Sequence, residues 1–253
     1  MKFDSGAYDA NRVIIFYSDI GLRSLCRSTQ IFADGTFDTV PRIFFQLYTI
    51  HSDVFGYTFP CVYVLWLRKT RVVYERIINH LKEASLTLNI TFSPETIMID
   101  FEMAAIMAFK NTLPNSTVKG FLFHFNQSLR RKIQQLGLSV RYRGRQNKDF
   151  QGLIIALMAL PFIPEEDVAE TFKSLVAHAP PELHEFIDFY GRTSIGLIKQ
   201  ENSWIIVTPR FENTTWSCYN SVLSGCRRTN SVVEGWHSRF QGEIQSHHAT
   251  IWK

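Results

Sequence analysis

The four residues Thr96-Ile97-Met98-Ile99, followed at once by Asp100, constrain the fold of this chain more than any other stretch. A short continuous apolar run reads as a strand buried on both faces, and that environment requires helices on both sides of a sheet. The flanking sequence supplies helices. Upstream, Val73, Ile77 and Leu81 form one stripe with Tyr74 and Ile78 beside it, while Glu75, Arg76, Asn79 and Lys82 face elsewhere. Downstream, residues 102–110 (EMAAIMAFK) are strong helix formers. Earlier still, residues 42–50 (RIFFQLYTI) and 60–67 (PCVYVLWL) carry the aromatic and β-branched residues of strands. Turn material (His51, Ser52, Asp53, Gly56) separates them. The run Gln30–Ala33 ends in Asp34-Gly35, a turn pair, so the three pieces are predicted to form an antiparallel meander.

Beyond Asp100 the pattern predicts a strand over Val118–Phe123, then a helix defined by Leu129, Ile133 and Leu136 and stopped by Gly137. Residues 149–190 read as helical, with Pro164 and Pro180-Pro181 at helix starts. Residues 199–217 read as irregular chain or a short hairpin. Ser231–Ser246 reads as a closing helix that buries Val232, Val233, Trp236 and Phe240. Strands, helix, strand, helix, strand, helix is the order of an α/β fold with a mixed sheet.

The 27 Lys and Arg exceed the 23 Asp and Glu by four, but the excess is local. Residues 119–148 hold eight basic side chains (Lys119, Arg130, Arg131, Lys132, Arg141, Arg143, Arg145, Lys148) and no acidic one. Such a block is a plausible footprint for a phosphate backbone, or else a solvated helix face with a charged loop. Arg130, Arg131 and Lys132, with Arg141, Arg143 and Arg145, are the candidate backbone contacts. Residues 162–190 carry seven acidic groups and one basic, read as polar helix faces. No apolar run reaches the roughly 20 residues of a membrane helix. The start, MKFDSGAYDANR, has no apolar secretion segment. Four cysteines without knuckle spacing point to a reduced protein with no zinc site.

Asp34 and Asp100 each close a predicted strand, and side chains at strand ends of α/β sheets gather in one crevice. Two neighbouring carboxylates ionise together only when a cation neutralises them, and hard oxygen donors select Mg²⁺ or Mn²⁺. A third carboxylate, Glu102 or Glu234, would complete a cradle for two ions.

Several blocks together resemble one family. ADGTF at 33–37 with Pro41 and the FFQLYTIH run, PCVYVLWLRKTRVVYERIINHL, TIMIDFEMAAIMAF, KGFLFHFNQSLRRKIQQLGL and RRTNSVVEGWHSRFQ are similar, in this order, to blocks of Mutator-like element (MULE) transposases. The resemblance spans about residues 28–253. It implies a ribonuclease H-like fold: three antiparallel strands, then parallel strands, flanked by helices, with an all-helical insertion before the last catalytic helix. The implied layout is an N-terminal extension (1–27), a first part of the core (28–145), the insertion (146–198), and an irregular segment with the closing helix (199–253). On this resemblance Asp34, Asp100 and Glu234 are catalytic and bind two Mg²⁺ or Mn²⁺ ions, and the partner is double-stranded DNA, both element ends and target. Nuclear localisation follows from that substrate, no membrane is involved, and a homo-oligomer is compatible. Relatives carry a zinc-binding recognition domain upstream, so a catalytic domain by itself is expected here. A catalytically inactive DNA-binding or protein-interaction domain, and a nuclease of the same fold that cuts without joining, stand as alternatives.

Each residue also has a plainer reading. Asp34 in Asp-Gly-Thr can be a turn residue. A dehalogenase-type phosphatase loop is excluded because Phe32 stands where that chemistry needs its nucleophilic aspartate. Asp100 can cap the helix after it, and Glu102 suits that helix's first turn as an accessory residue. Ser231-Val232-Val233-Glu234 is also a capping box. His124 and His237 are accessory candidates; Phe121 stands where the family often has a cysteine, which removes a Cys/His pairing for His124. His237 lies one turn after Glu234, placed to orient a carboxylate or meet a phosphate. Trp204 and Trp216, in the irregular segment, read as packing residues, with stacking on bases as the other use.

Overall fold

The computed structural model describes residues 1–144, 147–201, 203–229 and 231–245. They form two compact units, Met1–Val118 together with the segment from Thr229, and Lys119–Arg228. The first unit is a mixed α/β sheet flanked by helices, consistent with the ribonuclease H-like expectation.

Its elements are β1 (Phe3–Asp4), β2 (Val13–Tyr17), α1 (Asp19–Arg27), β3 (Gln30–Thr36), β4 (Gln46–Val54), β5 (Tyr57–Trp66), α2 (Arg71–Thr87), β6 (Thr96–Ile99) and α3 (Met103–Thr112), followed by β7 (Thr117–Gly120). The seven strands lie in the order β1-β2-β5-β4-β3-β6-β7. The β3–β6 pair is parallel, whereas β1–β2, β2–β5, β5–β4 and β4–β3 are antiparallel. The run Thr96–Ile99 is the strand the pattern predicts, with Ile97, Met98 and Ile99 all buried.

Several local expectations change. Asp34-Gly35 is not a turn: β3 continues through it, pairing Asp34 with Thr49, Gly35 with Tyr48 and Thr36 with Leu47. The reversal comes later, where the Phe44 N–H bonds the Pro41 carbonyl at 2.8 Å, so β4 starts at Gln46 and not at Arg42. At its other end β4 runs through His51, Ser52 and Asp53, and the turn is Phe55-Gly56, both with positive φ (51° and 76°). That is the backbone of a two-residue hairpin whose twist matches its strands. The segment 1–27, read as an extension, places Val13 and Ile15 in the core and holds β1, β2 and α1. Its strands are too short for periodicity to reveal them.

One face of the sheet is covered by α2, through an aromatic cluster. Tyr48 stacks on Trp66 at 4.8 Å between centroids, and Tyr74 of α2 meets both edge-on, at 5.5 and 4.9 Å.

The second unit contains α4 (Leu122–Gln135), α5 (Ser139–Arg143), α6 (Lys148–Met158), α7 (Val168–Val176), α8 (His184–Tyr190), the hairpin β8 (Leu197–Gln200) and β9 (Ser203–Ile206), α9 (Asn213–Trp216) and α10 (Tyr219–Leu223). The expected insertion, 146–198, lies within it. The strand predicted over Val118–Phe123 stops at Gly120, because Phe121 already caps α4, whose buried stripe is Phe125, Leu129 and Ile133. Gly137 (φ 70°) ends that helix as predicted: its N–H bonds Gln134, and the Leu138 N–H bonds Ile133. Trp216 stacks on Phe125 at 5.2 Å and donates its indole N–H to Ser194, so it is core. Trp204 packs edge-on to Phe172 at 5.9 Å.

The chain then returns to the first unit as α11 (Ser231–Ile244), which covers the opposite face of the sheet. Trp236 packs on His51 and Tyr63, and Phe240 packs against the cluster of Ile14, Val40, Phe44, Leu47 and Leu65. Among the described residues no helix is long and apolar enough to cross a membrane.

Candidate active site

The parallel register brings the two aspartates together. Gln30 pairs with Thr96, Ile31 with Ile97 and Phe32 with Met98. Two residues further along both strands stand Asp34 and Asp100, and a step of two keeps both side chains on one face. Their carboxylate oxygens lie within 4.8 Å of each other. Asp34 is buried, and its Oδ1 accepts the Gly35 N–H at 2.7 Å, which fixes the carboxylate's direction.

A polar network supports Asp34 from the α11 side. Thr49, its partner across the β3–β4 pair, donates its hydroxyl to the Asp34 main-chain oxygen at 3.3 Å. The same hydroxyl oxygen lies 3.0 Å from His237 Nε2 and 2.9 Å from His51 Nε2. With the hydroxyl proton committed to Asp34, both rings are assigned as donors through Nε2. The other ring nitrogen of His237, Nδ1, faces Asp34 Oδ2 at 3.9 Å.

Burial holds both histidines neutral. It lowers His51 to about 3, with the neighbouring His237 adding to the effect. It lowers His237 to about 4, although Asp100 pulls the other way. An unfolded chain takes up these protons near 6.5, so metal-free protein loses stability as pH falls below that value. At pH 5 the loss from His51 alone is about 2 kcal/mol. Urea midpoints at pH 7 and pH 5 measure it; equal midpoints would show that these rings are not buried as neutral groups.

On the α2 side, a small crevice is lined by Gly35, Gln46, Tyr48, Lys69, Tyr74, Asp100 and Glu102. Glu102 occupies the N-cap position of α3 but makes no side-chain cap bond; its carboxylate pairs with Lys69 and hydrogen-bonds Tyr74. Asp100 is therefore not that helix's cap. A Cβ at Gly35 would lie 2.1 Å from the Gln46 amide nitrogen, so any larger residue there displaces the Gln46 side chain. The Tyr48 phenol is held well above its usual value, by burial first and then by Asp100, Asp34 and Glu102. The three carboxylates add to burial in that shift, as neighbouring negative charges do.

The remaining predicted residues are distributed as follows. Glu234 is half-buried in the first turn of α11, one turn before His237. That helix runs from Ser231, and Glu234 stands three residues on. His124 is in α4 and not in a strand, its ring against Phe121 and Phe123 at 6.0 and 5.3 Å; Phe121 is fully buried. In the second unit the acidic stretch meets the basic one: Lys132 pairs with Glu185 at 2.7 Å and Arg141 with Glu182 at 2.6 Å. Arg130, Arg131 and Arg143 are exposed, and Arg145 lies outside the described residues.

Thr49, His51, Gln46, Tyr48 and Lys69 are the site residues that sequence reasoning missed. The signal was present but incomplete: Thr49 and His51 are two apart on one strand, and only the β3–β4 register sets them beside Asp34.

Residues 30–128 match the family model of the MULE transposase domain. The match starts at the first residue of β3 and ends within α4, so it contains Asp34, Asp100, Glu102 and His124 and stops before Glu234. No curated protein matches the sequence.

Proposed function

We propose that this chain is the catalytic domain of a DDE-type transposase, cutting DNA strands and joining them to a target with divalent metal ions. One observation carries the reading: two carboxylates meet at the C-terminal ends of adjacent parallel strands, inside the segment that matches the MULE transposase domain.

The donor set fits Mg²⁺ or Mn²⁺. Asp34 and Asp100 offer hard carboxylate oxygens, close together and partly or fully buried. Asp34 and Asp100 would hold the ions; Glu234, on α11, does not gather with them within 4.8 Å here and would have to approach from that helix to serve as the third carboxylate. Two such ions, when bound, activate the attacking water or 3′-hydroxyl and stabilise the leaving oxygen. The chain's own residues prepare the site. Gly35 N–H aims Asp34, Thr49 holds the backbone beneath it, and His237, anchored on Thr49, closes the carboxylate's other side. His237 is thus a positioning residue in this reading. Glu102, tied to Lys69, borders the crevice without occupying the place of Asp100. The work of such an enzyme on chromosomal DNA places it in the nucleus.

Two measurements test the reading. Incubation with Mn²⁺ and a labelled duplex is expected to yield nicked strands and strands joined to a second duplex; cutting without joining would favour the plain nuclease. DNA affinity is expected to fall steeply with salt, and Arg130→Ala with Arg131→Ala should reduce the log–log slope by about 2. An unchanged slope removes these arginines from the DNA footprint.

A further inference from the structure

The connection between β3 and β4, residues 37–45, is built unlike an ordinary solvent loop. Val40 and Phe44 are buried in the cluster with Leu47 and Leu65, and Thr39 is buried as well. The Phe44 N–H bonds Pro41, and the Phe45 N–H bonds the Trp66 carbonyl at 2.8 Å. The loop is therefore held in place from inside. Yet it turns Phe37, Ile43 and Phe45 outward, 50%, 63% and 47% exposed. The rings of Phe37 and Phe45 meet edge-to-face at 5.4 Å and 88°. Three large apolar side chains exposed within nine residues of anchored chain form a patch that calls for a partner.

The surroundings identify the kind of partner. Phe37 is three residues beyond Asp34, and Phe45 adjoins Gln46, which lines the crevice with Asp100. The loop thus lies at the strand ends where the acids sit. Arg42 on the loop and Arg68, two residues past Trp66, are exposed, against the single exposed acid Asp38. A ligand that satisfies this surface has a flat apolar face and a negative backbone. Duplex DNA hides its base faces, whereas an unpaired nucleotide shows one.

We propose that Phe37 and Phe45 form a stacking platform for an unpaired DNA base next to the strand end held at Asp34 and Asp100, with Arg42 and Arg68 meeting its flanking phosphates. This rests on the DNA-processing reading above and adds the state of the substrate: a strand end with frayed bases, not a closed duplex. Because Val40 and Phe44 fix the loop, the platform exists before DNA arrives, and binding costs little ordering.

The test uses the full chain with two DNA probes in Ca²⁺: a blunt duplex, and the same duplex with a four-nucleotide unpaired 3′ tail. Wild-type protein is expected to prefer the tailed probe. Phe37→Ala/Phe45→Ala is expected to lose roughly tenfold or more in affinity for it, the scale of one lost base–aromatic stack, while blunt-duplex affinity stays within about twofold. Abasic sugars in the tail should erase the wild-type preference too. Both rings are about half exposed, so the double variant leaves the core intact; its thermal melt serves as control. Equal affinity of wild type and variant for tailed DNA overturns the platform and leaves the transposase reading standing. An equal loss on both probes also overturns it, as does a variant changed only in oligomeric state, which would make the patch a protein contact. If wild-type protein binds neither probe, the DNA-processing reading itself fails, and the platform with it.

Discussion

Asp100→Asn is expected to lower the proposed DNA strand cleavage by about 10²–10³-fold while leaving the melting temperature in metal-free buffer unchanged or slightly raised. Asparagine keeps the shape of the side chain and one acceptor oxygen but removes the charge that holds a divalent ion, and loss of one pre-placed electrostatic group in an active site costs about 10²–10³ in rate. The fold is expected to tolerate the loss of that charge. Within 4.8 Å of a buried Asp34, a second carboxylate repels the first when no cation is present. Asp34→Asn should behave the same way, and the double variant should lose little more than either alone, because the two act as a unit. Mn²⁺ gives a second readout. At a concentration 100 times its dissociation constant it stabilises wild type by about 2.7 kcal/mol, and this shift vanishes in either variant. Cleavage retained by Asp100→Asn would end the catalytic assignment, and a metal response retained by both variants would place the ions elsewhere.

Trp66→Ala is expected to cost about 3–5 kcal/mol, the range for removing a large buried aromatic. Trp66 has no exposed surface and touches both Tyr48 and Tyr74, so its removal opens a hole between β4, β5 and α2. The consequence reaches the site, because Tyr48 and Tyr74 both line the crevice that Asp100 borders. Urea denaturation followed by circular dichroism gives the value directly; a loss under about 1 kcal/mol would mean that the cluster collapses around the gap and does not set the spacing of α2 from the sheet. The DNA affinity of this variant, measured well below its unfolding midpoint, separates loss of stability from loss of site geometry.

Much of the site was legible in advance because its two aspartates follow directly on local patterns. A continuous apolar run ended by Asp100 needs no partner strand to be recognised, and Asp34 stands at the end of another. The resemblance to MULE blocks named the same residues. What could not be read was pairing. Asp34-Gly35 looks like a turn from its dipeptide alone; it is strand because β4 continues alongside it as far as Leu47. The early strands β1 and β2 are two and five residues long, below the length at which alternation shows. The strand predicted over Val118–Phe123 runs past its observed end because Phe121–Phe125 is apolar at almost every position, and only the stripe Phe125, Leu129 and Ile133 makes this stretch helical.

By itself, then, the amino-acid order determined which residues could be acids at strand ends, where helices had to cover the sheet, and where the basic and acidic stretches lay. These are properties of neighbours along the chain, set by periodicity, turn chemistry and charge. The tertiary structure alone decided that Asp34 meets Asp100, that Thr49 joins His51 and His237 beneath them, that Glu182 and Glu185 engage Arg141 and Lys132, and that Phe37 and Phe45 face outward. Each of these is a contact between segments distant in sequence, and register and packing, not local preference, choose such contacts.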